Sequence, residues 1–279
     1  MDVEYLMLGH VVKDVADHGY RFGGTVSFAG VTALRLGAKL GVVTAVSAED
    51  RPSVQAIFPG ALMHWVESPV TTVYENIYQS EGRTQYCRAL GTSITVDKIP
   101  SEWLKSPIVH LGPLTGEVPA EMTQAVDPGS LIGVTPQGWL RERGENGLIS
   151  QRKWEQCEDV LDRADVLVFS EHDPVSPEEM DKYVRNARLS VVTRAELGAD
   201  IYEGTRQYHV PAYRTVETDQ TGAGDGFAAA FLLEYRRTGS PVEACRFASA
   251  SASLLIEGVG LEGIGDEESV RLRMRGRTI

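Results

Sequence analysis

The amino-acid sequence predicts an α/β fold, with a mainly parallel, twisted sheet covered by helices on both faces and a small β lid. Three observations lead to this prediction. Short apolar runs rich in β-branched residues recur along the chain, segments of helical character separate several of them, and one segment alternates β-forming with polar residues. Strands that alternate with helices form parallel sheets, and such sheets are buried on both faces.

The alternation begins in the first third of the chain. Residues 5–12 (YLMLGHVV) form an apolar run typical of a buried strand. Residues 23–38 (GGTVSFAGVTALRLGA) begin with two glycines, which indicate a turn, and continue as a helix that is predicted to end near Gly37. Residues 40–46 (LGVVTAV) are rich in valine, which favours a central parallel strand.

The same alternation continues through the second half. Residues 154–162 and 177–186 have helical character and separate further strands. Those strands are predicted at four apolar runs: 107–113 (PIVHLGP), 131–136 (LIGVTP), 165–170 (DVLVFS) and 189–193 (LSVVT). The segment DEESVRLRMRGR near the end has acids first and bases last, which matches the dipole of a final helix.

Residues 71–91 depart from this pattern. Their sequence, TTVYENIYQSEGRTQYCRALG, predicts a β-hairpin around a Ser-Glu-Gly turn, solvated on at least one face. We expect the hairpin to be a lid over a site or an edge for dimerisation, because an exposed strand edge invites pairing. No internal repeat or long linker divides the chain, so residues 1–279 are predicted to form a single domain with this hairpin inserted in it.

Composition and charge exclude several classes of protein. A chain of 279 residues, 42% hydrophobic and 24% charged, is typical of a globular protein. Its formal net charge of −12 argues against nucleic acid or an anionic membrane as the main partner, and no apolar run approaches membrane-spanning length. The three cysteines lack CxxC spacing, and the N-terminus lacks the basic region of a signal peptide. These features predict a cytoplasmic protein with reduced thiols.

A glycine-rich stretch at 217–232 (ETDQTGAGDGFAAAFL) carries the strongest functional signal. Its glycines permit a sharp turn and the close approach of another molecule, and an apolar helix follows. A helix start presents free N–H groups and partial positive charge, which suit an anion such as phosphate. Asp225 stands in this first turn, either as a cap that complements the helix dipole or as a base.

Several motifs together resemble those of the ribokinase-like (PfkB) carbohydrate kinases. DQTGAGDGFAAAF is similar to their C-terminal signature D-T-x-G-A-G-D-x-F, and GH-x-x-x-D at residues 9–14 and the pair Gly23-Gly24 are similar to their early motifs. The stretches ALRLGAKLGVVTAVSAED, VVTRAELGADIYEG and FASASASLLIEGVG follow in the family's order, so the resemblance covers residues 5–260. The short interval from Asp14 to Gly23 and the stretch PQGWLR look most like the inositol-kinase-like branch.

This resemblance implies transfer of the γ-phosphoryl group of ATP to an alcohol oxygen of a sugar, cyclic polyol or nucleoside. Asp225 would be the base that removes the acceptor's proton, and the backbone N–H groups of Gly222, Ala223 and Gly224 would form an anion hole. Mg²⁺ is expected with ATP because it neutralises the transferring phosphates. A monovalent cation such as K⁺ near Asp219 is a hypothesis at the level of the family.

The resemblance also implies binding roles for other residues. Asp14 would accept hydrogen bonds from acceptor hydroxyls, and the glycine pair would admit the substrate against bare backbone. The substrate-binding candidates are Asp14, Gly23, Gly24, Asn76 and Arg88, of which the last two lie on the predicted lid. The nucleotide-side candidates are Thr193, Gly198, Thr221 and Ser249. Solvated loop residues and ordinary turn glycines are the alternative interpretation of most of these positions.

Some positions depart from the family's pattern. The N-x-x-E motif after the strand at 165–170 is Ser-Glu-His-Asp here, so Asp173 is the candidate for an indirect role in handling Mg²⁺. Three further positions differ from the family's usual glycine, aspartate and asparagine, respectively Ala195, Thr135 and Phe28. The interval between Asp14 and Gly23 is expected to leave little room for a second lid hairpin.

Two alternatives to a sugar or polyol kinase stay open. A nucleoside kinase of the same fold would carry a base-stacking aromatic group at the acceptor site. A non-catalytic regulator would use the same pocket to sense a sugar or nucleotide. The intact GAGD motif argues against the regulator, whereas the altered Ser-Glu-His-Asp motif and Ala195 argue for it. The acceptor, its reacting hydroxyl and the preferred nucleotide are not fixed by the motifs, and a homodimer through the lid is a further hypothesis.

Overall fold

The computed structural model describes residues 3–79 and 82–276. The strands in these residues are β1 (Tyr5–Leu8), β2 (Val12–Ala16), β3 (Gly19–Gly23), β4 (Leu40–Val46), β5 (Leu62–Glu67), β6 (Thr72–Gln79), β7 (Gly82–Ala89), β8 (Ile108–Leu111), β9 (Leu131–Val134), β10 (Arg141–Arg143), β11 (Ile149–Gln151), β12 (Val166–Ser170), β13 (Leu189–Thr193), β14 (Ala199–Glu203) and β15 (Arg206–Val210). The helices are α1 (Thr25–Arg35), α2 (Arg51–Ile57), α3 (Met122–Ala125), α4 (Cys157–Leu161), α5 (Pro177–Asn186), α6 (Ala223–Thr238), α7 (Pro241–Leu255) and α8 (Glu267–Met274). None of the helices in the described ranges has the length and apolar character that crossing a bilayer requires.

Within the described residues, nine strands form one sheet in the order β15-β14-β13-β12-β9-β8-β1-β4-β5. Neighbouring strands from β13 to β5 in this order pair in parallel. Strands β14 and β15 add an antiparallel edge. The predicted α/β fold with a mainly parallel sheet is therefore confirmed.

Side chains of β1 alternate between the two faces of this sheet, as the period of a strand requires. Tyr5 and Met7 join a hydrophobic core that includes residues of α1, α6 and α7. Leu6 and Leu8 join a second core that includes residues of α4 and α5. All four side chains are fully buried. Both faces are covered, which explains why the strand is a continuous apolar run.

The apolar run at 5–12 is not one strand, which corrects the prediction from the sequence. The chain turns at Gly9, where φ is 152° and where a Cβ atom would overlap the carbonyl oxygen of Gly112. Residues beyond this turn enter a second, four-stranded sheet with the order β3-β2-β6-β7. The turn at the carboxyl end of β1 thus carries the chain from the main sheet into the lid.

The described part of the lid contains three hairpins. The hairpin predicted at 71–91 is present as β6 and β7, and its turn residues Ser80 and Glu81 lie outside the described residues. Strands β2 and β3 form a second hairpin, so the expectation of too little room for it was wrong, because a two-residue turn joins them. A third hairpin, β10 and β11, docks on β7 through the Cys87 N–H, which donates to Gly147 O at 2.7 Å.

Glu117 ties the ends of β1 and β8 together beneath the lid. Its carboxylate accepts from the N–H groups of His10, Leu114 and Thr115 at 2.7–3.0 Å. Glu117 is only 1% exposed, so these bonds replace the water that the carboxylate loses on folding. The ring of His10 in turn contacts Thr72 Oγ1 and the Thr92 carbonyl oxygen, which gives it a structural role.

We expect Glu117→Ala to lower the free energy of unfolding by about 3 kcal/mol, because it leaves three N–H groups, two of them buried, without their acceptor. Urea denaturation followed by circular dichroism measures this loss. Glu121→Ala is the matched control, since Glu121 is exposed on the same segment and its loss should change stability by less than about 0.5 kcal/mol. An equal loss of unfolding free energy in the two variants would contradict the role of Glu117 as the acceptor of these hydrogen bonds.

Candidate active site

Helix α6 begins at a left-handed glycine. Its N-cap, Gly222, has a φ of 78° and no side-chain cap. A Cβ atom at Gly222 would overlap the ring of Phe28, which is 4% exposed and packs against the turn. Phe28 stands where the family's pattern has asparagine. The aromatic ring therefore fixes the glycine turn from which the helix starts.

The first turn of α6 supplies backbone N–H donors. The Ala223 N–H donates to Gln220 O at 3.1 Å. The N–H groups of Gly222 and Gly224 have no hydrogen-bond acceptor among residues 3–79 and 82–276. Of the three donors predicted to form an anion hole, two are thus open in this geometry, and the third is engaged within the loop.

Asp225 lies in the same turn, in the wall of a cavity of about 800 Å³. Desolvation raises the pKa of its carboxyl group to about 6. The Thr25 hydroxyl and the Arg141 guanidinium oppose this rise, and the neighbouring Asp173 adds to it. A carboxyl group with this pKa is ionised at pH 7 and still basic enough to accept a proton, which suits a general base.

The cavity lies beyond the carboxyl ends of β12 and β13, where open α/β sheets bind their ligands. Its volume is in the range of a small-molecule or nucleotide site. The predicted site residues in its wall are Asp173, Thr193, Gly198, Gly222, Ala223, Gly224, Asp225 and Ser249. Thr221 is placed outside this wall, and its N–H donates to the Asp219 carboxylate at 2.9 Å.

Asp14 and Gly23 contact each other across the β2–β3 hairpin. A Cβ atom at Gly23 would overlap Oδ2 of Asp14 and would lie 4.0 Å from the Phe28 ring. The same ring occupies the space beside Gly222, so Gly23, which contacts the Asp14 carboxylate, and the start of α6 lie on either side of one aromatic side chain. Gly24 has a φ of 84° and precedes α1 as its N-cap. The structure thus brings the predicted acceptor carboxylate close to the predicted anion hole.

The two predicted lid residues lie on different faces of the lid. Asn76 Oδ1 accepts from Gln85 Nε2 at 2.9 Å, and Gln85 lines a second cavity of about 460 Å³. Arg88 pairs with Glu75 at 2.6 Å and lies over the Tyr86 ring at 4.1 Å. Tyr86 and Glu75 are cross-strand partners on the face opposite Gln85, so these contacts place Arg88, at the register shift of β7, on that opposite face. Asn76 therefore lies on the face of the lid that borders the 460 Å³ cavity, whereas Arg88 lies on the other face.

The two altered loops on the nucleotide side are joined by an ion pair. Arg194 of the second loop donates to Glu171 of the first at 3.0 Å. Asp173 Oδ2 accepts from the Ser170 N–H at 2.8 Å, and burial raises the pKa of Asp173. Ala195 has a φ of 47°, in the left-handed region that the family's usual glycine adopts freely. A residue other than glycine thus adopts a left-handed conformation in this loop.

Thr135, where relatives often carry aspartate, lines the larger cavity and is held from the core side. His110 Nε2 lies 3.1 Å from Thr135 Oγ1, and His110 Nδ1 lies 2.7 Å from the Tyr5 hydroxyl. Burial lowers the pKa of His110 to about 3, so its ring is neutral at pH 7. A series of hydrogen bonds between the neutral side chains of Tyr5, His110 and Thr135 therefore lies in this wall, at the position where relatives often carry a carboxylate.

Arg141 is not among the residues predicted from the sequence. It begins β10, lies in the wall of the smaller cavity, and opposes the rise that burial causes in the pKa of Asp225, Asp173 and Tyr74. The stretch PQGWLR could have pointed to Arg141, because a basic residue there directly follows two large apolar residues, Trp139 and Leu140, which are buried in the structure. The sequence does not show that this arginine comes near a carboxylate 84 positions later, because only the fold joins the two segments.

Comparisons with known proteins show which proteins this chain is similar to in sequence and in fold. The family model of the pfkB family carbohydrate kinases matches residues 139–264. A pyrophosphate-dependent kinase in the ribokinase family, solved with a pyrophosphate analog and myo-inositol, gives a TM-score of 0.81 over 93% of this chain and 98% of that chain, with 24% identity. Arabidopsis thaliana ribokinase, solved with ribose and ATP, gives a TM-score of 0.76 over 99% of both chains, with 18% identity.

Curated relatives match shorter stretches. The nucleoside kinase of Methanocaldococcus jannaschii is 31% identical over 86 residues, which are 30% of this chain and 28% of that protein. The bifunctional protein HldE of a Caulobacter species is 32% identical over 88 residues, which are 31% of this chain and 18% of that protein. The chain thus spans less than a third of the length of these relatives.

The chain shares its fold with solved ribokinase-like kinases, and the family model of the carbohydrate kinases matches its residues 139–264. The predicted resemblance to the ribokinase-like (PfkB) carbohydrate kinases is confirmed by the family match over 139–264 and by the shared fold. Carbohydrate kinases of this class are phosphotransferases with an alcohol group as acceptor.

Proposed function

We propose that this protein is a kinase that transfers the γ-phosphoryl group of ATP to a hydroxyl group of a sugar or cyclic polyol. The position of Asp225 carries the proposal. Its carboxyl group, with a pKa of about 6, lies in the first turn of α6, in the wall of the 800 Å³ cavity. Open N–H donors lie in the same turn, and the Asp14 carboxylate contacts Gly23, which lies beside the Phe28 ring that borders that turn.

In the proposed reaction, the Asp225 carboxylate accepts the proton of the acceptor hydroxyl while the hydroxyl oxygen attacks the γ-phosphorus. The bond from the γ-phosphorus to the bridging oxygen breaks, and ADP leaves with the electron pair. The N–H groups of Gly222 and Gly224 would stabilise the negative charge of the phosphoryl oxygens during transfer. Asp14 would orient the acceptor by accepting hydrogen bonds from its hydroxyls.

The residues around the larger cavity fit Mg²⁺ bound with a nucleotide. In the described part of the chain, no group of three or more His, Cys, Asp or Glu side chains converges to hold a metal alone. Mg²⁺ usually takes one or two carboxylates together with substrate phosphates and water, and Asp173 is a carboxylate in this wall. The ion would neutralise phosphate charge when bound. K⁺ near Asp219 would share a carboxylate that already accepts from Thr221 and Gly260 N–H groups.

The similar proteins support three different classes of acceptor. A cyclic polyol is supported by the likeness of fold to a kinase solved with myo-inositol, and a sugar by the likeness to ribokinase solved with ribose. A nucleoside is the second candidate, because the M. jannaschii nucleoside kinase shares 31% identity over 86 residues. The kinase solved with myo-inositol is pyrophosphate-dependent, so both donors belong in the test.

We expect Mg·ATP to be consumed only in the presence of an acceptor, and Asp225→Asn to lower kcat by about 10²- to 10⁴-fold because the base is lost. The measurement is ADP release across pentoses, hexoses, inositols and nucleosides, with phosphate release from pyrophosphate run in parallel. Asp181→Asn is the matched control, since Asp181 is exposed on α5.

Each outcome of this assay has a defined meaning. Acceptor-dependent turnover that collapses in Asp225→Asn supports the kinase, and the best acceptor identifies its substrate class. No turnover by a folded protein that still binds ATP or a polyol would favour a non-catalytic regulator. Undiminished turnover in Asp225→Asn would remove Asp225 from the role of base.

The pKa of Asp225 predicts the acidic limb of the pH profile. Burial raises this pKa above its ordinary value, so the carboxylate that acts as base is lost as the pH falls through about 6. We expect kcat/KM for the acceptor to fall about tenfold per pH unit below that point. Rates measured from pH 4.5 to 8.5 check this, and a limb near pH 4 would show that the base is a solvated carboxyl group.

Gly23→Ala tests the acceptor-side carboxylate. The added Cβ atom would overlap Oδ2 of Asp14, so the carboxylate must move. We expect the acceptor KM to rise about 10-fold or more, the loss of one charged hydrogen bond, with the donor KM little changed. Gly144→Ala is the control, because the nearest atom to its Cβ would be Leu148 O at 3.5 Å. An unchanged acceptor KM in Gly23→Ala would remove Asp14 from the acceptor site.

A further inference from the structure

We propose that Arg194 is a positioning residue for donor binding, and that its guanidinium fixes the loop after β12 against the antiparallel edge of the main sheet. The inference rests on the proposed function and adds a residue to it. Arginine suits this task because its planar guanidinium carries several N–H donors, can hold two carboxylates at once, and stays charged at every working pH.

The two loops that Arg194 joins begin at neighbouring strand ends. Ser170, the last residue of β12, is the parallel partner of Thr193, the last residue of β13. The Glu171 N–H still donates to Thr193 O at 3.1 Å, and after this bond both segments leave the sheet. Beyond the strand ends, contacts between side chains therefore have to hold the two loops together.

The guanidinium of Arg194 has one partner in each direction. Its Nη1 donates to Glu171 Oε2 at 3.0 Å, and its Nε lies 2.7 Å from Asp200 Oδ2. Asp200 belongs to β14, and its Oδ1 lies 2.8 Å from Nδ1 of His209, its cross-strand partner in β15. The side chains of Arg194 and both carboxylates are at most 27% exposed, so water screens these ion pairs less than it screens a surface pair. Glu171, in a loop, is thus tied to an anchored strand.

The backbone around Arg194 is held as firmly as its side chain. The Arg194 N–H donates to Gly198 O at 2.7 Å, and the Leu197 N–H donates to Arg194 O at 2.9 Å. Gly198 has a φ of 102°, and a Cβ atom there would overlap Val210 O of β15. Ala195 keeps a φ of 47°, which a residue other than glycine retains only where its surroundings enforce it. The guanidinium therefore extends from a rigid base.

The ion pairs of Arg194 lie behind the wall of the larger cavity and not in it. Among the described residues that line the 800 Å³ cavity, neither Arg194 nor its two carboxylate partners occurs. Their neighbours in sequence do line it: Ser170 and His172 on either side of Glu171, and Thr193 and Ala195 on either side of Arg194. Arg194 thus acts on a bound donor through the position of its neighbours, without touching it.

Glu171 is well placed to transmit this restraint to the loop after β12. That loop is a tight turn, in which the Asp173 N–H donates to Ser170 O at 3.0 Å and Asp173 Oδ2 accepts from the Ser170 N–H at 2.8 Å. Because Glu171 lies inside the turn, its ion pair locates the whole turn beside Thr193. Without this tether the wall would have the binding geometry for only a fraction of the time, and the apparent donor affinity would fall by that fraction.

A different role for Arg194 is to stabilise the fold without shaping the donor site. Arg206 separates the two roles, because it belongs to the same β14–β15 hairpin and pairs with Glu203 at 4.0 Å. This pair lies at the end of the hairpin opposite the pairing of Ala199 with Val210. Arg206→Gln therefore removes a guanidinium and an ion pair from the same hairpin and leaves both loops unchanged.

The experiment measures kcat and both KM values for Arg194→Gln, Arg194→Lys, Glu171→Gln, the double variant Glu171→Gln/Arg194→Gln, and Arg206→Gln. We expect Arg194→Gln to raise the donor KM about 10-fold, with kcat and the acceptor KM changed by less than about threefold. Glu171→Gln should raise the donor KM to a similar degree, and the double variant should be no worse than Arg194→Gln, because both substitutions break one contact. Arg194→Lys should recover part of the loss, since it keeps the charge but not the fork.

Hydrogen exchange followed by mass spectrometry tests the restraint without any ligand. Residues 170–173 should exchange faster in Arg194→Gln and in Glu171→Gln than in the parent protein, and at the parent's rate in Arg206→Gln. Melting curves show whether each variant is folded. If Arg194→Gln is not folded, because it leaves the carboxylate of Asp200 buried without this cation, Glu171→Gln and Arg194→Lys carry the test.

Three results would overturn the inference: an unchanged donor KM in Arg194→Gln, an equal rise in Arg206→Gln, or a rise in the double variant equal to the product of the two single rises. If the parent protein shows no turnover, the proposed function fails separately, and titration calorimetry with ADP and with inorganic pyrophosphate replaces the donor KM. Binding weakened about 10-fold in Arg194→Gln and Glu171→Gln but not in Arg206→Gln supports the positioning role. Unchanged binding, or a parent protein that binds neither compound, excludes it.

Discussion

The structure of the site depends on the contact between the Gly222 turn and the Phe28 ring. Because a side chain at Gly222 would overlap this ring, the turn before α6 can approach α1 closely only as glycine. That approach places the open N–H groups of α6 beside the hairpin that carries Asp14 and Gly23. Phe28 also replaces an amide of the family's pattern with an apolar ring, so this chain fixes the geometry by packing where relatives have a hydrogen-bonding side chain.

Carboxylates collect at this site because the topology brings the ends of several elements to one edge. Asp173 follows β12, and Asp225 lies in the first turn of α6. Burial raises the pKa of both carboxyl groups. A kinase gains from one such group, since a base needs a raised pKa, but a second carboxylate repels the phosphates of the donor. The neutral His110–Thr135 pair removes one further negative charge from the wall. The charge of Arg141 opposes the rise in the pKa of both Asp173 and Asp225.

The lid is built from segments that are distant in the sequence. Strands β2 and β3 carry Asp14, β6 and β7 carry Asn76, and the β10–β11 hairpin adds its edge to β7. Gln151 Nε2 also donates to the His172 carbonyl oxygen at 2.7 Å, so the third hairpin joins the lid to the loop that carries Asp173. A hydrogen bond from a side chain to the backbone thus connects this hairpin to the loop that follows β12.

The sequence by itself determined the fold class and the glycine turn at the start of α6, because apolar periodicity and glycines before a helix are local signals. It also located the 71–91 hairpin. Only the tertiary structure decided which side chains come near each other: it split the 5–12 run at Gly9, placed Arg88 on the face of the lid opposite Gln85, and brought the charge of Arg141 near enough to act on the pKa of Asp225. These outcomes depend on backbone turns and on pairing between distant strands. No residue's own propensity encodes which distant segment will lie beside it.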